Sequence, residues 1–281
     1  MNPSTGNELS RAAPSFSLCG TYIHALNIDE LTNVVASVIH RSEKRVFGNH
    51  NLHSLYLYYT DERMREFYDR IANYVHVDGM SIVALARLGG VPICREHRVT
   101  YVDWIDVLMR RAHQDGWRVF HLGSKPGVAE RGAAILRQRY PSLNIETMHG
   151  YFAAMSGSVD NVEVLTSIRR FRPNLLLVGM SMPRQEHWVL ENLEQIDANA
   201  ILMSGAAMDY IAGAVRTPPR WAGRCGLEWL FRLCHEPKRL WRRYLFEPWV
   251  VGWMAFTSHR ATHSERRPTV RLESRQAQGD D

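Results

Sequence analysis

The sequence predicts an α/β protein in which a parallel sheet is flanked by helices and followed by a helical C-terminal appendage. Short apolar runs alternate with amphipathic stretches of about 10–15 residues, as in repeated βαβ units. The alternation stops near residue 215, and beyond it the pattern is helical, basic and rich in tryptophan. The composition, 45% hydrophobic and 22% charged over 281 residues, excludes a collagen, a wholly disordered chain and a repeat array.

The predicted strands are short apolar runs, several of which end at glycine or at a polar residue. In chain order they cover residues 45–48, 75–77, 117–123, 144–148, 174–178 and 200–203. Open parallel sheets bind ligands at the carboxyl ends of their strands. We therefore expect functional residues in the loops that follow these strands.

The predicted helices carry apolar residues at intervals of three and four. The first begins after Asn27, and the others cover residues 51–74, 81–88, 101–114, 128–140, 159–171 and 184–193. A helix between each pair of strands is what a parallel sheet requires, because the chain must return to the same edge before each new strand.

We predict four regions along the chain: a flexible leader (1–17), an α/β domain (18–215), a basic tryptophan-rich helical appendage (216–256) and a disordered tail (257–281). Residues 216–247 hold eight Lys or Arg against three Asp or Glu, whereas residues 1–215 are nearly balanced in charge. The net charge of +5 therefore originates in one short stretch rather than across the surface.

The N-terminus and the cysteines favour a reducing compartment. None of the four cysteines forms a C-x-x-C pair, and residues 1–17 lack the basic and apolar regions of a signal peptide. No apolar run approaches the roughly 18 residues that a spanning helix needs. We expect a cytoplasmic protein that is peripheral at the inner face of the cell membrane.

Three polar residues follow two of the predicted strands. Asp78 ends the strand at 75–77 and precedes a glycine, where a carboxylate is well placed as a general base but where simple turns are also common. Asn49 and Asn51 follow the strand at 45–48 and could bind a sugar or cap the next helix. His50 and His53 have the spacing of a metal pair, but no partner completes a site, and we predict no metal.

Two further loops have the residue types of an anion or substrate site. Residues 123–127 (GSKPG) leave a strand and open a helix, which suits a phosphate near Gly123 and Lys125 or is a simple turn. The loop lacks both the dinucleotide and the P-loop glycine spacing. Gln185 lies in the first turn of the helix after Pro183, where it faces either a pocket or solvent.

The appendage interleaves arginines with tryptophans and leucines. Basic side chains attract anionic lipid, and tryptophan prefers the headgroup region of a bilayer. Nucleic acid and a packed helix pair are the competing interpretations. The apolar component favours a membrane surface over a groove that follows phosphates, and we predict no nucleic-acid partner.

Taken together, these segments resemble the bacterial glycosyltransferases of the WecG/TagA/CpsF family (glycosyltransferase family 26). The similar stretches, in order, are residues 49–51, 77–79, 98–100 with Asp103, 123–130, 149–152, 178–179, 183–186, Asp209 with 212–213, and 226–244. They span about residues 20–247, and the last stretch is the most specific.

The resemblance implies a Rossmann-like domain that inverts the sugar linkage without a metal or other cofactor. It implies transfer from a UDP-sugar to a polyprenyl-diphosphate-linked saccharide, for exopolysaccharide or other cell-surface polysaccharide synthesis. It also implies formation of homo-oligomers.

The roles that the resemblance implies for individual residues are as follows. Asp78 is the general base. The resemblance gives substrate binding to Asn51, Arg98 and Gln185, and we add Asn49, Asp103, Gly123 and Lys125 as substrate-binding candidates. Contact with the lipid diphosphate or the membrane falls to Arg232, Arg239 and Arg242.

The chain departs from the family pattern near the expected pocket. Asn49 stands where threonine is frequent, Tyr101 where glycine is common, and Arg184 where lysine is usual. The donor is therefore open between an N-acetylmannosamine type and glucose or a uronic acid. A membrane-associated scaffold without activity is the alternative, although a scaffold would need neither Asp78 nor Arg98.

Overall fold

A six-stranded parallel sheet and a separate hairpin form the framework of the protein. The computed structural model describes residues 13–216 and 228–258. The strands in chain order are β1 (Ser15–Leu18), β2 (Thr21–His24), β3 (Arg45–His50), β4 (Tyr74–Val77), β5 (Arg118–Gly123), β6 (Asn144–Met148), β7 (Leu175–Gly179) and β8 (Ala200–Met203). Strands β1 and β2 pair antiparallel, and the other six form a sheet in the order β4-β3-β8-β7-β5-β6.

Helices connect the strands of the main sheet. In chain order they are α1 (Ile28–His40), α2 (Leu52–Thr60), α3 (Glu62–Glu66) with a π-helical extension (Phe67–Ile71), α4 (Met80–Leu88), α5 (Tyr101–Asp115), α6 (Val128–Arg139), α7 (Val159–Phe171), α8 (Arg184–Asn192) and α9 (Ala207–Ile211). The appendage comprises α10 (Glu228–His235), α11 (Pro237–Trp241), a π-helical turn (Arg242–Phe246) and α12 (Glu247–Ser258).

Both faces of the central strands are buried, which explains why β7 and β8 are continuous apolar runs. Successive strand residues point to opposite faces. In β7, Leu175 and Leu177 pack with α1, α5 and α6 on one face, whereas Leu176 and Val178 pack with α3, α7 and α8 on the other. The predicted parallel sheet flanked by helices is confirmed.

Adjacent strands send the chain to opposite faces at two places in the sheet. Strand β5 leads to α6 on one face, and its neighbour β7 leads to α8 on the other. The neighbours β3 and β8 diverge in the same way, towards α2 and α9. Such divergence opens a crevice at the carboxyl ends of the strands, where ligands bind in sheets of this type.

The N-terminal hairpin was not predicted. Strand β1 lies partly within the predicted leader, and its four residues are too short for an alternation to be recognised. Below the hairpin, Ile23 packs with α2 and α4 in a third apolar cluster. The predicted helix at 51–74 is interrupted by Asp61, which caps α3 by accepting hydrogen bonds from the Arg63 and Met64 amides.

The appendage packs against the α/β domain through one face of α12. Val251 is buried in the same apolar cluster as Leu55 of α2 and Ile82 of α4. One turn earlier, Glu247 is buried and its Oε2 lies 2.7 Å from His53 Nδ1. The exposed face of α12 carries Trp249 and Trp253.

Parts of the predicted organisation lie outside the described residues. These are most of the leader, residues 217–227 at the start of the appendage, and residues 259–281 of the predicted tail. None of the helices within 13–216 and 228–258 is both long and apolar enough to span a bilayer.

We predict that Gly123→Ala destabilises the protein, because a Cβ at this position would lie 2.3 Å from the Gly179 carbonyl oxygen on the adjacent strand. Urea denaturation should show a free energy of unfolding about 3 kcal/mol lower. Gly252→Ala is the matched control, since a Cβ there meets no described atom within 4 Å. The control should be neutral or stabilised by up to about 1 kcal/mol. Equal stabilities of the two variants would contradict the close approach of β5 and β7.

Candidate active site

Asp78 lies directly after β4, at the carboxyl edge of the sheet. Its backbone N–H donates to the His50 carbonyl at 2.8 Å, which continues the β3–β4 ladder by one residue. Gly79 follows with a φ of 119°, a conformation that favours glycine, and begins the turn into α4. The side chain of Asp78 is partly exposed at this edge.

Two amide groups hold one oxygen of the Asp78 carboxylate. Asn49 Nδ2 donates to Oδ2 at 3.1 Å, and Asn51 Nδ2 donates to the same atom at 3.3 Å. Within the described residues no donor contacts Oδ1. The carboxylate is therefore oriented through one oxygen, while the other can accept a proton or a hydrogen bond from a ligand.

Asn51 also caps α2, as the capping interpretation predicts. Its Oδ1 accepts from the Ser54 backbone N–H at 3.0 Å, and the Ser54 hydroxyl lies 2.9 Å from the Asn51 N–H in a capping box. Asn49 does not cap the helix: it is buried, and its amide is directed to Asp78.

His50, between the two asparagines, is held by hydroxyl groups of the protein. His50 is buried, with Nε2 3.1 Å from the Thr21 hydroxyl and Nδ1 3.0 Å from the Ser54 hydroxyl. Burial, with a smaller contribution from His76, lowers the pKa of His50 to about 3. In the part of the chain that the structure describes, no group of three His, Cys, Asp or Glu is arranged to hold a metal ion.

Arg98 and Asp103 lie beside the outer edge of β4. The Val99 N–H donates to the Val77 carbonyl at 2.8 Å, so the backbone at Arg98 runs alongside the strand that ends at Asp78. Arg98 Nη2 lies 3.0 Å from Asp103 Oδ2, which also accepts from the Thr100 hydroxyl at 3.0 Å. The predicted pair thus forms an ion pair next to the Asp78 edge.

Gly123 lies at the end of β5 and Lys125 follows it, with three strands (β3, β8 and β7) between β5 and β4. A Cβ at Gly123 would collide with the Gly179 backbone, and a Cβ at Gly179 would lie 2.7 Å from the Gly205 carbonyl oxygen, so neither position admits a side chain. Lys125 is exposed and attracts the Asp209 carboxylate. Burial raises the pKa of Asp209, whereas the Ser124 hydroxyl and Lys125 oppose that shift. This end of the crevice is separate from the Asp78 cluster but lies on the same edge of the sheet.

Gln185 is buried, and both the oxygen and the nitrogen of its side-chain amide form hydrogen bonds within the protein. Its Oε1 accepts from the Gly205 N–H at 3.3 Å, and its Nε2 donates to Glu186 Oε1 at 2.8 Å. The interpretation of Gln185 as a solvent residue is therefore wrong. Its side chain joins α8 to the loop after β8 at the floor of the crevice.

Glu186 is a buried carboxyl group beneath this floor. Its Oε2 has no hydrogen-bond partner among the described residues. Burial raises its pKa to about 7, and the hydrogen bond from Gln185 only partly offsets this. Burial raises the pKa values of Tyr68 and Tyr101 well above their usual range, and the negative charge of Glu186 raises them further.

The appendage brings arginines towards Asp78. Arg232 on α10 donates to the Tyr210 hydroxyl, and its guanidinium carbon lies 5.6 Å from the Tyr210 ring centroid. Arg243 is partly buried, and its Nη2 lies 3.4 Å from Asn51 Oδ1. Arg242 is exposed, and the Arg239 side chain lies outside the described part of the structure.

Sequence reasoning missed Arg243, Tyr210 and Glu186. Arg243 could not have been found from its spacing, because the chain breaks at Glu236 between the helix of Arg232 and the π-helical turn that holds Arg243. No sequence signal distinguishes Glu186 from an ordinary first-turn glutamate, because its burial depends on how α8 packs.

Comparison with known proteins places the chain among glycosyl transferases. A family model described as "Glycosyl transferase WecG/TagA/CpsF family" matches residues 16–265. Three similar curated proteins are the N-acetylglucosaminyldiphosphoundecaprenol N-acetyl-beta-D-mannosaminyltransferases of Staphylococcus aureus strains MW2, NCTC 8325 / PS 47 and COL. Each is 28% identical over 171 residues, or 61% of this chain and 65% of the relative. The match thus spans just under two thirds of these relatives.

We predict that Glu186 makes a contribution to stability that falls between about pH 4.5 and pH 7. Across this window the unfolded chain releases the Glu186 proton whereas the folded chain keeps it, so this contribution to the free energy of unfolding decreases with pH. The decrease is about 1.4 kcal/mol per pH unit. Glu186→Gln removes this titration and keeps an acceptor for Gln185. Urea denaturation at pH 5 and pH 8 should show the variant gaining stability over the wild type at the higher pH.

The control for this experiment is Glu163→Gln, an exposed glutamate on α7. Its stability should follow the wild type at both pH values. A constant difference between Glu186→Gln and the wild type at pH 5 and pH 8 would contradict a raised pKa at Glu186.

Proposed function

The chain belongs to the WecG/TagA/CpsF family of glycosyl transferases, and we propose that it transfers a sugar from a UDP-sugar to a polyprenyl-diphosphate-linked saccharide. The observation that carries the proposal is the Asp78 carboxylate at the edge of the sheet, which two amides orient through Oδ2 and whose Oδ1 meets no donor within residues 13–216 and 228–258. A base for an acceptor hydroxyl needs such a free and fixed oxygen.

The proposed reaction is a single displacement with inversion. The acceptor hydroxyl gives its proton to Asp78 as its oxygen forms a bond to the anomeric carbon of the donor. The bond between that carbon and the β-phosphate oxygen breaks, and UDP leaves with the electron pair. One base on the acceptor side is sufficient for this step, and the structure supports it with one carboxylate oriented at the crevice.

Charge on the departing diphosphate must be stabilised from the other side. Arg98 lies beside β4, and Arg232 approaches Asp78 closely enough for the two charges to interact. Guanidinium groups bind phosphate oxygens through several N–H donors, and their charge supports a transfer without a metal. We assign the donor and acceptor diphosphates to these groups together with Arg239 and Arg242 of the appendage.

The identities of donor and acceptor are proposed as classes. The relatives are named for transfer of N-acetylmannosamine to a diphosphoundecaprenol-linked N-acetylglucosamine. For this chain, Asn49 and Tyr101 both lie close to Asp78, and each keeps a buried polar atom without a described partner. We therefore include glucose and a uronic acid beside N-acetylmannosamine as donor sugars.

The appendage provides the surface for a membrane-bound acceptor. Its exposed large apolar side chains are Trp229, Leu230, Trp241, Leu245, Phe246, Trp249 and Trp253. Tryptophan at a bilayer interface and a basic segment near anionic headgroups both favour peripheral binding. We propose that the protein acts at the cytoplasmic face of the cell membrane, in synthesis of a cell-surface polysaccharide.

We predict that Asp78→Asn lowers transfer by at least about 100-fold, because the variant has no oxygen that can accept the proton. Transfer should be measured from a panel of UDP-sugars to soluble polyprenyl-diphosphate-GlcNAc and polyprenyl-diphosphate-glucose analogues, with EDTA present. Asp115→Asn, an exposed aspartate paired with Arg111, is the control and should retain activity.

The panel separates the alternatives. Activity in Asp78→Asn equal to that of the wild type would remove Asp78 as the base. Loss of wild-type activity on chelation would overturn metal independence. If no donor is used but the protein binds vesicles, the scaffold interpretation would be favoured instead.

We also predict that the double variant Trp249→Ser/Trp253→Ser binds membranes about tenfold more weakly, because two exposed aromatic side chains are removed from the proposed contact face. Flotation with phosphatidylglycerol–phosphatidylcholine vesicles measures the bound fraction. Leu88→Ser removes an equally exposed apolar side chain from α4 of the α/β domain and should bind as the wild type does. Equal binding of all three proteins would place the membrane contact elsewhere.

A further inference from the structure

Arg243 connects the appendage to Asn51, which in turn holds Asp78. Arg243 Nη2 lies 3.4 Å from Asn51 Oδ1, and Asn51 Nδ2 donates to Asp78 Oδ2 at 3.3 Å. The three side chains form a continuous line from the appendage to the carboxylate. Arg243 is not one of the appendage arginines to which the resemblance assigns a role.

The Asn51 amide can adopt only one of its two flipped orientations. Its Oδ1 accepts from the Ser54 backbone N–H, an obligatory donor at the helix N-terminus. Arg243 adds a second donor on the same side. Both donors place the NH2 group towards Asp78. If the amide were flipped, its oxygen would face the carboxylate and its NH2 group would face the guanidinium, and neither pair could form a hydrogen bond.

The position of Arg243 depends on how the appendage packs. Arg243 lies in the π-helical turn that leads into α12, and α12 is held against α2 by the Glu247–His53 contact of 2.7 Å and by buried Val251. Asn51 caps the same helix α2 that these two residues contact. The contacts that hold α12 against α2 therefore also place Arg243 beside Asn51.

The charge of Arg243 is poorly compensated by protein groups. Within the described residues it forms no ion pair with a carboxylate, and its hydrogen bond to Asn51 is long. Burial lowers its pKa, and the nearby Arg232 acts in the same direction, while Glu247 and Asp78 oppose the shift. The guanidinium thus remains close to Asp78 with its positive field directed at the carboxylate.

We propose that Arg243 is a positioning residue for the reaction: when α12 is docked, Arg243 gives Asn51 Oδ1 a second donor beside the Ser54 N–H, and so holds the Asn51 amide more rigidly against Asp78. This inference rests on the proposed function of Asp78. It differs from direct phosphate binding, because Arg243 acts through Asn51 rather than on the substrate.

The first test compares Arg243→Met, Arg243→Lys and the control Lys238→Met, which removes one exposed positive charge from the same appendage. With a soluble acceptor, Arg243→Met should lower kcat about tenfold with little change in KM. Lys238→Met should follow the wild type, and Arg243→Lys should recover part of the loss. Thermal unfolding of each protein establishes that it is folded.

The second test uses Asn51. In an Asn51→Ala background, Arg243→Met should change kcat less than twofold, because the Asn51 amide through which Arg243 acts is already absent. A tenfold loss in that background as well would overturn the proposal. So would a rise in KM at unchanged kcat, since either result would indicate that Arg243 binds a substrate phosphate directly.

A spectroscopic test separates this inference from the proposed function. With 15N-asparagine labelling, the Asn51 side-chain NH2 signal is identified by its loss in Asn51→Ala. It should shift in Arg243→Met and not in Lys238→Met, whether or not any UDP-sugar is a donor. An unchanged signal would overturn the role of Arg243, whereas absence of transfer by the wild type would overturn only the function of Asp78.

Discussion

The parallel pairing of β3 with β4 is the constraint on which the site depends. In this register Asn49 lies opposite His76 and His50 opposite Val77, so the first residue past each strand is at the same level. The Asp78 N–H then bonds to the His50 carbonyl, and the Asn49 and Asn51 amides reach the same carboxylate oxygen. A slip of one residue would turn Asn49 and Asp78 to different faces of the sheet. The apolar clusters on both faces hold that register in place.

The sequence predicted the sheet well because its strands are buried on both sides. Apolar runs such as residues 174–178 have no other environment in a protein of this size, and the polar residues that end them must lie at one edge. Asp78, Asn49 and Asn51 were found in this way, and the structure brings them together. The N-terminal hairpin was missed because two strands of four residues carry too little pattern.

The side-chain directions at the site could not be predicted from spacing alone. Whether Gln185 faces solvent depends on how α8 packs over the loop after β8. In that loop the Gly205 N–H donates a hydrogen bond to the Gln185 side-chain oxygen. Which appendage arginine reaches Asn51 depends on the break at Pro237 and on the π-helical turn that follows it. These are properties of packing between segments far apart in the chain, so the resemblance identified an arginine-rich region but not Arg243.

Helix α12 has a buried side and an exposed side, and this determines which sequence changes the helix can accept. Glu247 and Val251 face the α/β domain, while Trp249 and Trp253, two positions further along, face outwards. Substitutions on the outer side can therefore change the proposed affinity for a membrane surface while the residues of the inner side stay the same. An insertion or deletion before α12 is different, because one residue rotates a helix by about 100°. It would turn Glu247 and Val251 away from the α/β domain, so the five-residue π-helical turn Arg242–Phe246 should tolerate changes of residue, Arg243 excepted, better than changes of length.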